Sequence, residues 1–364
     1  MKQDTIHGLF ALLRKALHPD REEPKLRSLQ LDWPALYRLA ANHGVLAIVW
    51  DGVERAVASG DLVQEQLPDR MLKIKWALAV EAIEKRHKRQ LACVQRMDEA
   101  LNEAREQVML FKGVSLAQFY PVPHHRECGD IDIYPMGGHF ETVNQTLVKA
   151  GGEMHYDSMK HVEVLLAGVM IENHRVFFSG PSTAQLRKSN RTLAQLVAGA
   201  TPLHGHVAVL APQPRFDQLF VMMHGAMHFR RGEMTLRQLL DWYVVMQQAH
   251  FQPDVELLQQ HGMMRFAAAI HHLCEEWLGA PKVSWGQSAT VVSDAALILQ
   301  DMLALGVDVP KKGSPLQVVW RKAKRFWCRR WTYPITGMPF WAALLYSIYA
   351  HLRLPKTIFN PTKR

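Results

Sequence analysis

Asp130 and Asp132 alternate with Ile131 and Ile133 in the run CGDIDIY. In a β-strand, residues i and i+2 share a face, with α-carbons roughly 7 Å apart. Both carboxylates therefore project to one side and both isoleucines to the other. Two like charges on one face repel and are costly to bury together. A divalent cation removes that cost, and Mg²⁺ is ordinarily held by one or two carboxylates together with phosphate oxygens. The residues upstream read as a strand at Val108–Phe111, a turn at Gly113, a short helix at Val114–Tyr120 and a polar loop. The loop leads into a second strand at Ile131–Tyr134.

This α/β texture is local. Before residue 107 the chain reads as helical: an amphipathic N-terminus, a helix from Leu31 that stops near Gly44, and one long helix from Pro68 to Gln107. Phe140–Ala150 reads as a further helix stopped by Gly151–Gly152. His161–Phe178 then reads as two strands about a tight turn at Ala167–Gly168. From residue 181 the pattern is helical again, most clearly at Phe216–Phe229, Leu236–Ala249 and Met263–Leu278. The expected division is therefore a helical region over 1–106, an α/β core over 107–180 and a helical domain over 181–364.

If Ala167–Gly168 is a two-residue turn, Leu166 pairs with Val169, Glu163 with Glu172 and His161 with His174. Two directly opposed carboxylates call for something positive between them. Glu163 and His161 are thus expected to border the pocket that Asp130 faces.

The formal net charge of +9 favours anionic partners such as nucleotides, RNA or acidic lipid, and is equally compatible with plain solubility. Cys93, Cys128, Cys274 and Cys328 are too dispersed for a disulfide scaffold or a Cys/His metal motif. A reducing cytoplasm is the simpler reading. The N-terminus lacks the pattern of a secretory signal, and no apolar run reaches the roughly 18–20 residues needed to span a bilayer.

The segment KGVSLAQFYPVPHHRECGDIDIY resembles the bacterial family of uncharacterised nucleotidyltransferases, within the DNA polymerase β-like nucleotidyltransferase superfamily. Lys112 and Gly113 match its first element, Arg126 its loop arginine, and Gly129–Asp130–Ile131–Asp132 its metal signature. Glu172 and His174, in IENH, match its third carboxylate and neighbouring histidine. HGAMHFRRGEMTLRQLLDW is similar to its downstream helical motif through His224, His228, Arg237 and Asp241, and LDWPALYRLAANHGVLAIVW to its first helices. The likeness covers most of residues 30–250. The turn departs from the wider superfamily, because Val114 separates Gly113 from Ser115.

The resemblance implies an α+β fold: a small polymerase β-like core with a mixed sheet, flanked by helical regions. It implies two-metal transfer of NMP from an NTP, with ATP the first choice, to an acceptor hydroxyl that the sequence does not identify. Asp130, Asp132 and Glu172 would be the catalytic residues and would hold Mg²⁺ or Mn²⁺. Glu172 would complete the activating metal site or act as general base. Gly113 and Gly129 would let backbone approach the nucleotide, with Lys112, Ser115 and Arg126 on the phosphates. Glu163, His174, His224, His228, Arg237 and Asp241 would line the cleft.

His224 and His228 are spaced for zinc but lack the intervening glutamate of a metalloprotease, so a packed pair and a cleft-lining pair both stand. The basic and aromatic segment Trp320–Trp331 suits single-stranded nucleic acid, an anionic membrane surface, or simply a solvated helix face. The rival readings are a catalytically inactive nucleotide- or RNA-binding module of the same fold, and a modifying role on a protein partner.

Overall fold

The computed structural model describes residues 3–353, except 182, 284, 286 and 305–314. Four helices come first: α1 (Gln3–Leu17), α2 (Trp33–Asn42), α3 (Leu46–Ala58) and α4 (Arg70–Glu103). The Asp32 carboxylate caps α2 by accepting from the Ala35 N–H, and Gly44, at φ +63°, ends that pattern. Asp69 caps α4 through the Leu72 N–H, and Trp76, Val80, Ile83, His87, Gln90, Val94, Met97 and Leu101 form its buried stripe. That three-to-four spacing turns one face of the helix inward along its whole length.

The sheet elements and their helices follow: β1 (Val108–Phe111), α5 (Gly113–Ala117), β2 (Ile131–Pro135), α6 (Phe140–Lys149), β3 (Glu153–Asp157), β4 (His161–Leu166) and β5 (Val169–His174). Next come α7 (Ala184–Leu196), β6 (Thr201–Pro202), β7 (Val209–Ala211), α8 (Pro214–Arg231), α9 (Leu236–Gln248), α10 (Val255–Gln260) and α11 (Met264–Leu273). The described chain closes with α12 (Ala289–Leu303), α13 (Pro315–Cys328), α14 (Thr332–Ile335) and α15 (Phe340–Arg353). No helix among the described residues is long and apolar enough to cross a membrane.

The seven strands among the described residues form one mixed sheet in the order β3-β4-β5-β2-β1-β7-β6. β2 lies at its centre, antiparallel to β1 and parallel to β5, with Asp132 opposite Glu172. The β4–β5 hairpin has the expected register: Leu166 faces Val169, Glu163 faces Glu172 and His161 faces His174. Ala167 and Gly168 both take positive φ, the primed turn that suits the twist of a two-residue hairpin.

The sheet separates two apolar layers. Val108, Leu110, Ile131, Ile133, Val164 and Ile171 pack against Cys93, Val94, Met97 and Leu101 of α4 and Val143 and Leu147 of α6. On the other face Phe111 meets Phe177, Phe216 and Phe220 in edge-on contacts. This second layer runs into the large helical core, so Asp132, which pairs with Phe111 across the strands, faces the helical side.

Several sequence expectations need correction. The sheet does not stop near residue 180: β7 pairs parallel with β1, and β6 follows it at the edge. Three backbone N–H groups at Val207, Ala208 and Val209 donate to the buried Asp98 carboxylate of α4, which anchors the start of this short strand. The helix expected at Val114–Tyr120 is the single short α5. The helix expected over Met263–Leu278 widens into a π-turn at Cys274–Leu278.

Candidate active site

Sheet register alone brings the first group together. Asp132 and Glu172 are direct neighbours on parallel strands, and Asp130 precedes Asp132 on the same face. Ligand oxygens of Asp130, Asp132 and Glu172 all lie within 4.8 Å of one another. Asp130 is half-buried, whereas the Asp132 side chain is fully covered and that of Glu172 is 16% exposed.

Basic side chains close around these carboxylates. Lys112 Nζ donates to both Asp132 oxygens at 2.9 Å. His174 Nε2 lies 3.0 Å from Asp132 Oδ1 and 3.2 Å from Glu172 Oε2. Its Nδ1 faces the Val176 carbonyl, so both ring nitrogens are placed to donate. His161 Nδ1 stands 3.4 Å from Glu172, its Nε2 is 3.5 Å from Glu163, and Lys160 Nζ is 3.9 Å from Glu172. Glu163 thus stands on the same face as the acidic trio, at its rim.

The charges divide the carboxylates into two classes. The neighbouring Asp132 charge, then burial, pushes Asp130 above its ordinary value. Burial would do the same to Asp132, but the Lys112 ammonium and the His174 hydrogen bond outweigh it and hold that carboxyl well below the usual range. Glu172 is likewise lowered, burial being outweighed by its bond to His174. Burial lowers Lys160, and it lowers His161 to about 4. The site is therefore crowded with negative charge at Asp130, the one member without a close cationic partner of its own.

The turn before α5 is strained. Lys112 adopts φ 63° and ψ −153°, a region almost reserved for glycine. Gly113 follows at φ +31°, where a Cβ would meet the Asp130 carbonyl at 3.3 Å. That conformation throws Lys112 across the sheet onto Asp132 and packs the turn against the start of β2. Gly129 lies just before β2, where an added Cβ would meet nothing within 4 Å. Because α5 is only five residues long, its dipole adds little toward a phosphate. The Ser115 side chain is buried, and its hydroxyl has no hydrogen-bond partner among the described residues.

Other residues singled out in the sequence sit differently. Arg126 is not at the carboxylates: its Nε and Nη2 each bond an Asp241 oxygen at 2.8 Å, and Nη1 donates to the Gly113 carbonyl at 3.0 Å. Asp241 also accepts from the Tyr120 hydroxyl at 2.8 Å, so it is a buried anchor beneath the turn and not part of a cleft wall. Arg237 Nη1 donates to the Glu127 carbonyl on the same loop. The loop that leads into β2 is thus pinned from α9 by two arginine contacts.

His224 and His228 meet through their Nε2 atoms at 3.1 Å, a separation that needs a single shared proton. Burial lowers both, His228 to about 4, so the pair is neutral at physiological pH. His224 stacks on Phe220, Phe220 abuts Phe111, and Phe111 abuts His174, a continuous row of rings ending at the carboxylates. Sequence reasoning missed Lys160, which has no motif around it, and Tyr120, whose partner lies far along the chain.

The four cysteines are free, and Cys93, Cys128 and Cys274 are buried. In the basic and aromatic segment, Arg329 pairs with Asp301 at 2.7 Å and Arg325 with Glu233 at 3.3 Å. Trp320 and Trp327 are half or more exposed, with Lys324 and Arg330 over their rings.

A profile of the family described as an uncharacterised nucleotidyltransferase matches residues 30–279. No curated protein matches the chain. A solved structure, the antibiotic-resistance factor ANT(2'')-Ia, aligns with 51% of this chain and 97% of its own, at 10% identity and a TM-score of 0.34.

Proposed function

As the chain belongs to this uncharacterised nucleotidyltransferase family, we propose that it transfers NMP from an NTP, ATP by preference, to an acceptor hydroxyl. The observation that carries the reading is the convergence of Asp130, Asp132 and Glu172 within 4.8 Å on a partly open face. Three carboxylates form a hard oxygen donor set that fits Mg²⁺ or Mn²⁺ better than softer metals. The raised Asp130 supports that fit, since it is a carboxylate in need of a nearby cation. Bound there, Mg²⁺ would supply charge neutralisation at the phosphates and a lowered barrier for the attacking hydroxyl.

The chain's own groups then take distinct parts. Asp132 is held ionised and oriented by Lys112 and His174. Glu172, kept ionised by His174, completes the donor set or takes the proton of the acceptor hydroxyl. Lys112 is the cation nearest the trio, and its ammonium can pass from Asp132 to a triphosphate oxygen when a metal takes over that charge. The unpartnered Ser115 hydroxyl is a donor left for a phosphate at the same turn. Arg126 positions the loop through Asp241 instead of touching substrate. His174, Glu163 and the His224–His228 pair form the walls of this reading.

We place the catalytic core over 107–180, extended by β6 and β7, with helical regions on either side. An RNA acceptor would be met by the exposed Trp320 and Trp327 and their flanking cations.

The test is pyrophosphate release from radiolabelled ATP and Mg²⁺ with candidate acceptors. The reading expects release that Asp130→Asn and Asp132→Asn abolish. Nucleotide binding without release, in a folded wild-type chain across the acceptors tried, favours the inactive binding module instead.

A further inference from the structure

A second cluster of ligand-type side chains lies outside the carboxylate trio and shares no residue with it. Glu84 on α4 and His124 and His125 on the turn Pro123–His125 each offer an atom within 4.8 Å of the others. His125 Nε2 is 3.0 Å from Glu84 Oε1, and His124 Nε2 is 3.9 Å from the same oxygen. Donors at about 2.0–2.1 Å from a tetrahedral zinc ion stand roughly 3.3 Å from one another. The two observed separations bracket that edge.

The other side of His125 carries the second observation. Its Nδ1 lies 2.8 and 2.9 Å from the two oxygens of Asp51 on α3. A nitrogen between two carboxylate oxygens must carry hydrogen. Its Nε2 faces Glu84 Oε1 at 3.0 Å, a contact met by a second proton on His125 or by a metal ion that replaces that proton. This is the carboxylate–histidine arrangement that orients imidazole ligands in zinc sites. One turn along α4, His87 is 8% exposed, and its Nδ1 has no hydrogen-bond partner among the described residues. Its ring centre lies 6.4 Å from that of His124.

We propose that Glu84, His124 and His125, with Asp51 behind His125, form a site for Zn²⁺ or a similar borderline transition metal. The ion would tie α3 and α4 to the turn that precedes Arg126 and the strand of Asp130 and Asp132. Its competitor is a proton on His125. Metal uptake releases that proton.

The full chain, stripped with chelator and free of nucleotide, is titrated with Zn²⁺ by calorimetry in two buffers of different ionisation heat. Co²⁺ uptake is followed by its visible bands. Expected are stoichiometric Zn²⁺ binding with proton release and intense tetrahedral Co²⁺ bands. Asp130→Asn leaves both unchanged, Asp51→Asn weakens binding by about 10–100-fold, and the Glu84→Gln/His124→Ala pair abolishes it. Glu84 and His124 side chains are 46% and 48% exposed, so that pair is expected to fold, which circular dichroism checks. Absence of Zn²⁺ binding overturns the proposal, as does binding that survives Glu84→Gln/His124→Ala or is lost in Asp130→Asn.

Discussion

Arg126 and Asp241, 115 residues apart, form a two-pronged ion pair with both N···O distances at 2.8 Å. Both side chains are buried, and the pair joins the loop before β2 to α9. The pair anchors the loop that leads into the Asp130–Asp132 strand. It also predicts a stability effect. Asp241→Asn leaves a buried guanidinium without its counter-charge, which costs about 3–5 kcal/mol. Urea unfolding followed by circular dichroism should show that loss; a change below about 1 kcal/mol, the worth of an exposed pair, would mean that the pair contributes little.

Asp130→Asn should have opposite effects on activity and stability. The Asp132 charge raises Asp130 in the folded chain, so the native state holds that proton more tightly than the unfolded one. Its ionisation therefore destabilises the fold at neutral pH, and the penalty disappears as pH falls through the native pKa. The variant should melt higher than wild type at pH 7, with the difference shrinking toward about pH 4, while transfer is lost. Asp132 and Glu172 carry the reverse sign: their stabilisation is present at neutral pH and is lost on acidification through their lowered values. A melting temperature for Asp130→Asn below that of wild type at pH 7 would contradict this division.

Asp98→Ala removes the acceptor for Val207, Ala208 and Val209, held at 3.0, 2.7 and 2.9 Å. Each stranded N–H costs roughly 1–3 kcal/mol. The edge strand β6 and its neighbour β7 should then lose amide-exchange protection before the rest of the sheet. Uniform protection across β1, β2 and β7 in the variant would show that the strand holds itself.

Much of this geometry was legible in the sequence, and the misses share a cause. The GDID alternation set the two faces of β2, and Ala167–Gly168 set the hairpin register, because both signals are local and have period two. β7 is three residues long, and its apolar run Val207–Ala211 is too short to separate strand from helix by periodicity. β3 is almost wholly exposed and lacks an apolar alternation. Arg126 sits in a motif that suggests phosphate, yet its partner lies on a helix distant in sequence. The spacing of charged residues showed which groups were polar and near the turn, but not which of them would be neutralised inside the protein.

Ser115→Ala separates a phosphate contact from a packing role. The hydroxyl is buried and unpartnered, so its removal should leave the melting temperature unchanged or higher. If it donates to a phosphate, KM for the NTP rises several-fold while the fold is intact. An unchanged KM removes Ser115 from the nucleotide site.

The most direct measurement is a crystal structure of the full chain soaked with Mn²⁺ and an ATP analogue methylene-bridged between its α and β phosphorus atoms. The account predicts anomalous manganese density at about 2.0–2.3 Å from carboxylate oxygens of Asp130 and Asp132, with the triphosphate on the same ions and Lys112 turned toward it. Manganese bound elsewhere, or a nucleotide seated away from Asp130, Asp132 and Glu172, would contradict it.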